Sequence, residues 1–494
     1  MPPGIGIDSF TGPVRIEWDH EAAMTPLGQL PFFVDFLKTA GLFDALIADC
    51  PLAYTSPNAP GARELFGTAI LSILSGHKRY AHIAALRGDM VLPELLGMKK
   101  VVSEDAVRRG FKAVGEDQGA AWLQKHLDYC SAPLLAEPWI LDMDTTVKPL
   151  YGHQEGAVVG YNPAKPGRPS HTYHTFAMAA TRLVLDVDVL AGNENASSYS
   201  APALWALLDR TPRDQWPALL RGDAGFGNEL IMREAESRNL PYLFKLRLTK
   251  NVRRMIALLP GQEAWTDAGQ GWQARESEVR LMGWSRQRRA IVLRRPVKGA
   301  PAAPVQKDVR GQLKLDFPEI SAASDIYEYA VLVTSLVEDL AGFGQLYRDR
   351  GDNENIFDEL KNQWGWGGFT THDLARCRLS ARLVALVYNW WNIFVRLAEP
   401  GWHREAITSR PLLLHAIAAR VKHARQTTIT ITSLHAKAAP AARALRAVAE
   451  FLRGLVESAE QLTSLQRWRA ILSRAYQAFL KGRQLLLPPR LETG

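Results

Sequence analysis

Apolar positions recur at helical spacing from residue 30 to about 135, in PFFVDFLKTAGLFDALI, ARELFGTAILSILSGH and RYAHIAALRGD. Residues 1 to about 25 carry no sustained period and read as irregular. Ser103 precedes two acids and then Arg108, Arg109 and Lys112, the pattern of a capped helix with bases toward its end. The period then shortens. PWILDMDTTVK (138–148) reads as a buried strand, and HTYHTFAMAAT and RLVLDVDVLAG complete a three-strand meander. Between them GYNPAKPGRPS (160–170) is a loop that exposes Lys165 and Arg168. A helix over 200–208, a strand over 216–221, a helix over 228–238 and a strand over 242–248 follow. Further on, 272–284, 288–297 and 325–336 alternate like antiparallel strands, with a poorly patterned loop over 298–317. Helical periods return over 346–366 and 372–397. The remaining chain alternates helices with one strand-like run, 427–432.

A chain of 494 residues can hold two to four domains with real cores. Its formal charge, 59 − 51 = +8, permits a polyanionic partner. Cys50, Cys130 and Cys377 are widely spaced, form no metal pattern, and fit a reducing cytosol. The N-terminus lacks a basic region followed by an apolar run. The apolar stretch 381–397 contains Arg382, Asn389, Asn392 and Arg396, which makes it a buried helix and not a membrane span. These features predict a soluble cytoplasmic protein.

Three places carry candidate chemistry. Asp142 and Asp144 share one face of a buried strand, where carboxylates are costly without a cation or donor. Asp223 ends a short apolar strand between Gly222 and Ala-Gly-Phe-Gly, a way to present an acid to a ligand; a plain turn aspartate looks the same. In LYRDRGDNENIFDELKNQWGW (346–366), Tyr347, Arg350, Glu354 and Lys361 sit at offsets 0, 3, 7 and 14. On one helix they fall within an arc of about 60° and a rise of about 21 Å. Only the carboxylate is a natural hard-metal ligand, whereas the flanking groups suit a polyanion lying along the helix. A solvated amphipathic face accounts for the same spacing, and Gly351 and Asp352 could mark a helix start. His171 and His174 read as ordinary strand residues, and Trp265, Trp272 and Trp284 as core or as stacking platforms.

Tyr-x2-Arg-x3-Glu-x6-Lys over 347–361 resembles, at every position, the Y-R-E-K signature of bacterial DDE insertion-sequence transposases. The resemblance implies an α/β fold, an RNase-H-like mixed sheet flanked by helices, with a β-rich insertion and a helical N-terminal DNA-binding region. Its Asp-Asp-Glu triad would be Asp144, Asp223 and Glu354, with Asp142 as the alternative first acid. The triad would hold two Mg²⁺, with Mn²⁺ able to substitute, about 4 Å apart for in-line phosphoryl displacement. Tyr347, Arg350 and Lys361 would hold adjacent phosphates. Lys165, Arg168, Arg108, Arg109 and Lys112 are further expected DNA contacts. A helix-turn-helix ending in the Ser103 helix and a helical bundle with a basic rim both fit the N-terminal region.

The expected organisation is 1–135, helical and DNA-binding; 136–250, first part of the catalytic core; 251–340, β-rich insertion; 341–400, second part of the core with the Glu helix; and 401–494, helical, for dimerisation or DNA contact. The implied activity is cut-and-paste transposition: a homodimer binds terminal inverted repeats in double-stranded DNA, cuts, and joins the ends to target DNA. The alternatives are an RNase-H-like nuclease without strand transfer and a domesticated, non-catalytic DNA-binding protein.

Overall fold

The structure, a computed structural model, describes residues 4–54, 56–162, 164–259, 265–296, 306–307, 313–314, 327–400, 403–424, 426–459 and 461–485. The side chains of 196–197, 306–307, 313–314 and 352–354 are outside that description. The N-terminus is not irregular. Strands β1 (Ile5–Ser9) and β2 (Gly12–Ile16) pair as an exposed hairpin, with Ile5 opposite Ile16 and Ile7 opposite Val14. Such β-branched cross-strand pairs are a local signal, but five residues are too few to establish a period. The short β3 (Met24–Thr25) joins the C-terminal part of the chain.

The helical expectation for 30–135 is met by α1 (Leu30–Thr39), α2 (Leu42–Ala48), α3 (Ala62–Leu74), α4 (Leu92–Leu95), α5 (Glu104–Ala113) and α6 (Glu116–Ser131), with a 3-10 turn over Tyr80–Leu86. Gly41 (φ 69°) makes the left-handed turn between α1 and α2. Ser103 caps α5 as its sequence implies, accepting from the Ala106 amide at 3.3 Å.

The sheet begins with β4 (Ile140–Pro149), the two-residue β5 (Val158–Val159), β6 (Pro169–Met178) and β7 (Leu183–Ala191). Helix α7 (Ala196–Asp209) leads to β8 (Leu219–Gly222), and α8 (Glu229–Ser237) to β9 (Tyr242–Leu246). β4 lies antiparallel to β6 and parallel to β8, and β9 is parallel to β8. The order β7-β6-β4-β8-β9 is the RNase-H-like arrangement, with the first long strand between the second and the fourth. α7 carries the chain from the β7 edge across to β8, and α8 makes the crossover between the parallel neighbours β8 and β9.

The insertion does not stand apart from this sheet. After α9 (Lys250–Ala257) come β10 (Thr266–Asp267), β11 (Gln273–Val279), β12 (Arg288–Pro296), the paired β13 (Gln306–Lys307) and β14 (Leu313–Lys314), and β15 (Tyr327–Thr334). β15 pairs with β9, and β12, β11 and β10 follow outward, so one ten-stranded sheet runs through core and insertion. Most of the poorly patterned 298–317 lies outside the described residues.

Helices α10 (Leu340–Arg348) and α11 (Gly351–Asn362) follow, then the 25-residue α12 (Leu374–Ala398). The rest is α13 (Ala406–Leu413), the hairpin β16 (Ala418–His423) and β17 (Gln426–Ile431), α14 (Ala438–Val456) and α15 (Ser464–Ala475). The single strand expected there is thus half of a hairpin. α12 is buried along most of its length against β7 and α6. Its Asn389 accepts from the Val184 amide at 2.9 Å and donates to the Val184 carbonyl at 2.8 Å, beside the bulge between β6 and β7. No described helix is long and apolar enough to cross a membrane.

Arg288 fastens the extended sheet to the core. Its guanidinium, on a residue 4% exposed, donates to Glu236 at 2.7 and 3.1 Å and to Glu229 at 2.6 Å. Burial works against the Glu236 carboxylate, but donors from Arg288, Arg286 and Tyr242 outweigh it and hold its pKa down at about 2. A group depressed on folding contributes stability above its unfolded pKa and loses it as pH falls through the folded one. Glu236→Gln should therefore cost on the order of 2 kcal/mol at pH 7. It should also flatten the loss of stability between about pH 4.5 and pH 2, read by urea unfolding across that range.

Candidate active site

The pairing of β4 with β8 fixes the site. Asp142 registers with Arg221 and Met143 with Gly222, the last pair in the ladder. The next residue on each strand is an acid, Asp144 on β4 and Asp223 just past β8. Parallel neighbours are roughly 4.8 Å apart in backbone. Side chains alternate along a strand, so Asp144 shares a face with Asp142 and Asp223 with Arg221. Asp142 and Arg221 touch, which makes those faces the same side of the sheet.

The contact between Asp142 and Arg221 is a bidentate ion pair. Arg221 Nε and Nη2 donate to the two carboxylate oxygens of Asp142 at 2.5 Å each, both side chains being 1% exposed. Arg221 Nη1 donates to the main-chain carbonyl of Leu346. That carbonyl belongs to the last turn of α10, where carbonyls lack helical partners and cations are favoured. One guanidinium therefore joins both acid-bearing strands to the segment that carries Tyr347, Arg350 and Glu354.

The long helix expected over 346–366 is interrupted. α10 ends at Arg348, and α11 starts at Gly351 after a turn through Asp349 and Arg350. Tyr347 therefore ends one helix, Arg350 stands between two, and Glu354 and Lys361 ride on the second, so one continuous 60° stripe does not describe them. Gly351, a poor helix former, marks the break. Arg350 is buried, at 5% exposed, and its Nη2 lies 3.4 Å from Asp144 Oδ2. Asp144 Oδ1 accepts from the Thr145 amide, and Asp223 Oδ1 from the Gly225 amide, both at 2.8 Å. Tyr347 is half-buried and packs against the apolar cluster that includes Phe343 and Leu332. Half-burial of Lys361 lowers its ammonium pKa. Glu354 lies early in α11, with its side chain outside the described residues.

Lys165 and Arg168 are exposed on the loop that enters β6 near the carboxyl end of β4, five residues along that strand from Asp144. The Lys165 ammonium lies 5.1 Å and the Arg168 guanidinium 4.9 Å from the ring centre of Tyr151. Arg109 and Lys112 are exposed on α5, whereas Arg108 pairs with Asp105 and covers the Tyr80 ring at 5.3 Å. α5 packs on α3 and α12 as part of a helical bundle, preceded by a 3-10 turn and a single-turn helix. His171 and His174 each place Nε2 within 3.0 Å of a main-chain carbonyl, of Glu155 and Glu194, as structural residues do. Trp265, Trp272 and Trp284 lie beneath Arg294, Arg295 and Arg288.

Asp144 and Asp223 are hard oxygen donors of the kind a divalent cation takes, and a cation at Asp144 would compete with the Arg350 guanidinium. Among the described residues no three His, Cys, Asp or Glu side chains gather as a metal site. The third expected acid, Glu354, is not among those side chains.

The chain thus carries an RNase-H-like sheet with Asp144 within its first strand and Asp223 just past its fourth. Residues 59–456 match the family described as transposase DDE domain group 1, and the chain belongs to that family. No curated protein matches it. It aligns with the cryo-EM structure of a piggyBac transposase synaptic complex with hairpin DNA at 11% identity, over 95% of this chain and 87% of that one, with a TM-score of 0.38. So remote a likeness leaves the assignment resting on the family match and the sheet.

The residue that sequence reasoning missed is Arg221. The signal was present: Arg-x-Asp on one strand and Asp-x-Asp on its parallel neighbour place Arg221 opposite Asp142 once the acids are aligned. Arg350→Ala should cost about 2 kcal/mol in cation-free buffer, because Asp144 loses a charged partner. Mg²⁺ or Mn²⁺ should then raise the melting temperature more than in wild type, there being no guanidinium to displace. Equal shifts in the two proteins would contradict this reading of the Arg350 contact.

Proposed function

We propose that the protein is the transposase of an insertion sequence, which binds the terminal inverted repeats of its element, cuts them, and joins the freed ends to target DNA. The observation that supports this reading is the register of β4 with β8, in which Asp144 and Asp223 follow the last paired residues, on the face where Arg221 bonds the Leu346 carbonyl and Arg350 approaches Asp144. Family membership supplies the reaction class. Asp144, Asp223 and Glu354 would hold Mg²⁺, or Mn²⁺ in its place. Bound there, two such ions would supply Lewis acidity and a deprotonated oxygen nucleophile for in-line displacement at phosphorus.

The chain's own groups do the rest. Arg350 neutralises Asp144 before DNA arrives and is near enough to turn from that carboxylate to a phosphate oxygen, which its planar fork matches. Lys361, whose desolvated ammonium gains most from an anionic partner, and the Tyr347 phenol hold phosphates on either side of the cut. Lys165 and Arg168 receive the strand at the carboxyl end of β4, and Arg108, Arg109 and Lys112 contact flanking duplex. Such contacts fix position along DNA and carry no base information. Two copies of the chain would pair two element ends.

A supercoiled plasmid carrying the element ends tests the reading. With Mg²⁺, wild type should excise the element and join a precut end to target DNA, a product that a nuclease limited to cutting cannot make. Asp223→Ala and Glu354→Ala should each lower excision on the order of a thousandfold while leaving repeat binding nearly unchanged. Excision at the wild-type rate in either variant would overturn the assignment. Lys165→Ala with Arg168→Ala should weaken binding about equally for all sequences. It should also lower the slope of log affinity against log salt by about 2, measured by fluorescence anisotropy.

A further inference from the structure

The segment bearing Glu354 is moored to the sheet at both ends, each time by a buried cation donating to a main-chain carbonyl. At the near end, Arg221 on β8, held by Asp142 on β4, reaches the Leu346 carbonyl in the last turn of α10. At the far end, Lys148 on β4 donates to the Gly368 carbonyl, beyond α11, at 2.5 Å and to the Tyr173 hydroxyl at 3.3 Å. Lys148 is 3% exposed and Arg221 1%. Both attachments lead back to β4, the strand of Asp144. Glu354 lies between them, eight residues after Leu346 and fourteen before Gly368.

From this geometry we infer that Arg221, with Asp142, and Lys148 are positioning residues that fix how far along its axis the Glu354 helix sits relative to Asp144 and Asp223. Apolar packing alone tolerates small sliding between a helix and a sheet, because dispersion contacts are not directional. A hydrogen bond from a charged donor to one carbonyl is directional and specifies one axial setting. The need for such a device follows from the turn at Asp349 and Arg350, which ends α10 two residues before α11 begins, close enough for a bond at Leu346 to set where α11 starts. Buried charges are also not the most stable way to hold two strands together, since apolar residues of similar volume often do as well or better. Retaining charges here is accounted for by what they bind at their third partner, the Leu346 carbonyl.

The inference rests on the transposase reading for the cations' role, and its test separates the two. Mn²⁺ binding to the full chain is measured by calorimetry, next to excision and the melting temperature. Three variants are compared with wild type: Lys148→Met; the apolar pair Asp142→Leu with Arg221→Met; and Arg221→Lys, which keeps the charge but cannot serve Asp142 and Leu346 together. All three should bind Mn²⁺ and excise 10–100-fold less well, the usual effect of removing groups that orient metal ligands. The apolar pair should melt within a few degrees of wild type, so that lost function is not lost fold. If the apolar pair does not fold, Arg221→Lys and Lys148→Met decide the matter by the same two readouts. Wild-type Mn²⁺ affinity in the variants that fold would overturn the inference, whatever their excision. If wild type binds Mn²⁺ but cuts no repeat DNA, transposition is the part that fails, and the affinities still judge the mooring. Absence of Mn²⁺ binding to wild type at millimolar concentration would overturn both.

Discussion

Asp142 and Arg221 meet across two parallel strands, nearly sealed from water, with both nitrogens of the fork on both carboxylate oxygens. Taking two such charges out of water costs several kcal/mol each, which their attraction offsets only when the remaining donors are satisfied. Here the remaining nitrogen reaches the Leu346 carbonyl. Much else follows from that one contact. It puts Asp144 and Asp223 on a common face, one pleat beyond the pair. It also ties the last turn of α10 to that face. Removing either partner alone would leave a buried charge exposed to the full penalty, so the two residues are expected to change together or not at all.

Around this centre the molecule uses the same economy of charge elsewhere. Arg288 ties the outer strands to α8, Asn389 clamps α12 to β7, and Glu359 joins α11 to His403 at 2.7 Å and to the Ala406 amide at 2.9 Å. Many basic residues are paired with acids of the same chain, at the surface as well as in the core: Arg238 with Asp209 and Glu234, Arg289 with Glu276, Arg378 with Glu116. A formal charge of +8 is therefore a poor map of where a polyanion would bind. Lys165, Arg168, Arg109 and Lys112, which face solvent, are better guides.

Local patterns in the sequence were legible where one element carries the whole signal. The Ser103 cap, the buried α12, the strand that contains Asp144 and the one that Asp223 follows are read from cap chemistry, period and flanking glycines. The helix break was legible only as an alternative, from Gly351 and Asp352 as a helix start, because Asp349 (φ −60°, ψ −14°) and Arg350 (φ −67°, ψ −23°) keep near-helical angles and preserve the apolar period across the turn. Nor did the strands over 272–334 announce that they extend the core sheet, since pairing of β15 with β9 joins residues some ninety positions apart. The partner of Asp142 was missing for the same reason. Its cost was evident from one strand, but its solution lies on another.

The central claim is that three distant segments, around residues 144, 223 and 354, border one cation-binding space. Iron-directed cleavage tests it most directly: the full chain is loaded with Fe²⁺ in place of Mg²⁺, ascorbate and peroxide are added, and the cut positions are mapped by mass spectrometry. Hydroxyl radicals made at the ion cut only the backbone nearby. The account predicts cuts clustered at all three segments, suppressed together by excess Mg²⁺. Cuts confined to one segment, or scattered without relation to the three, would contradict it.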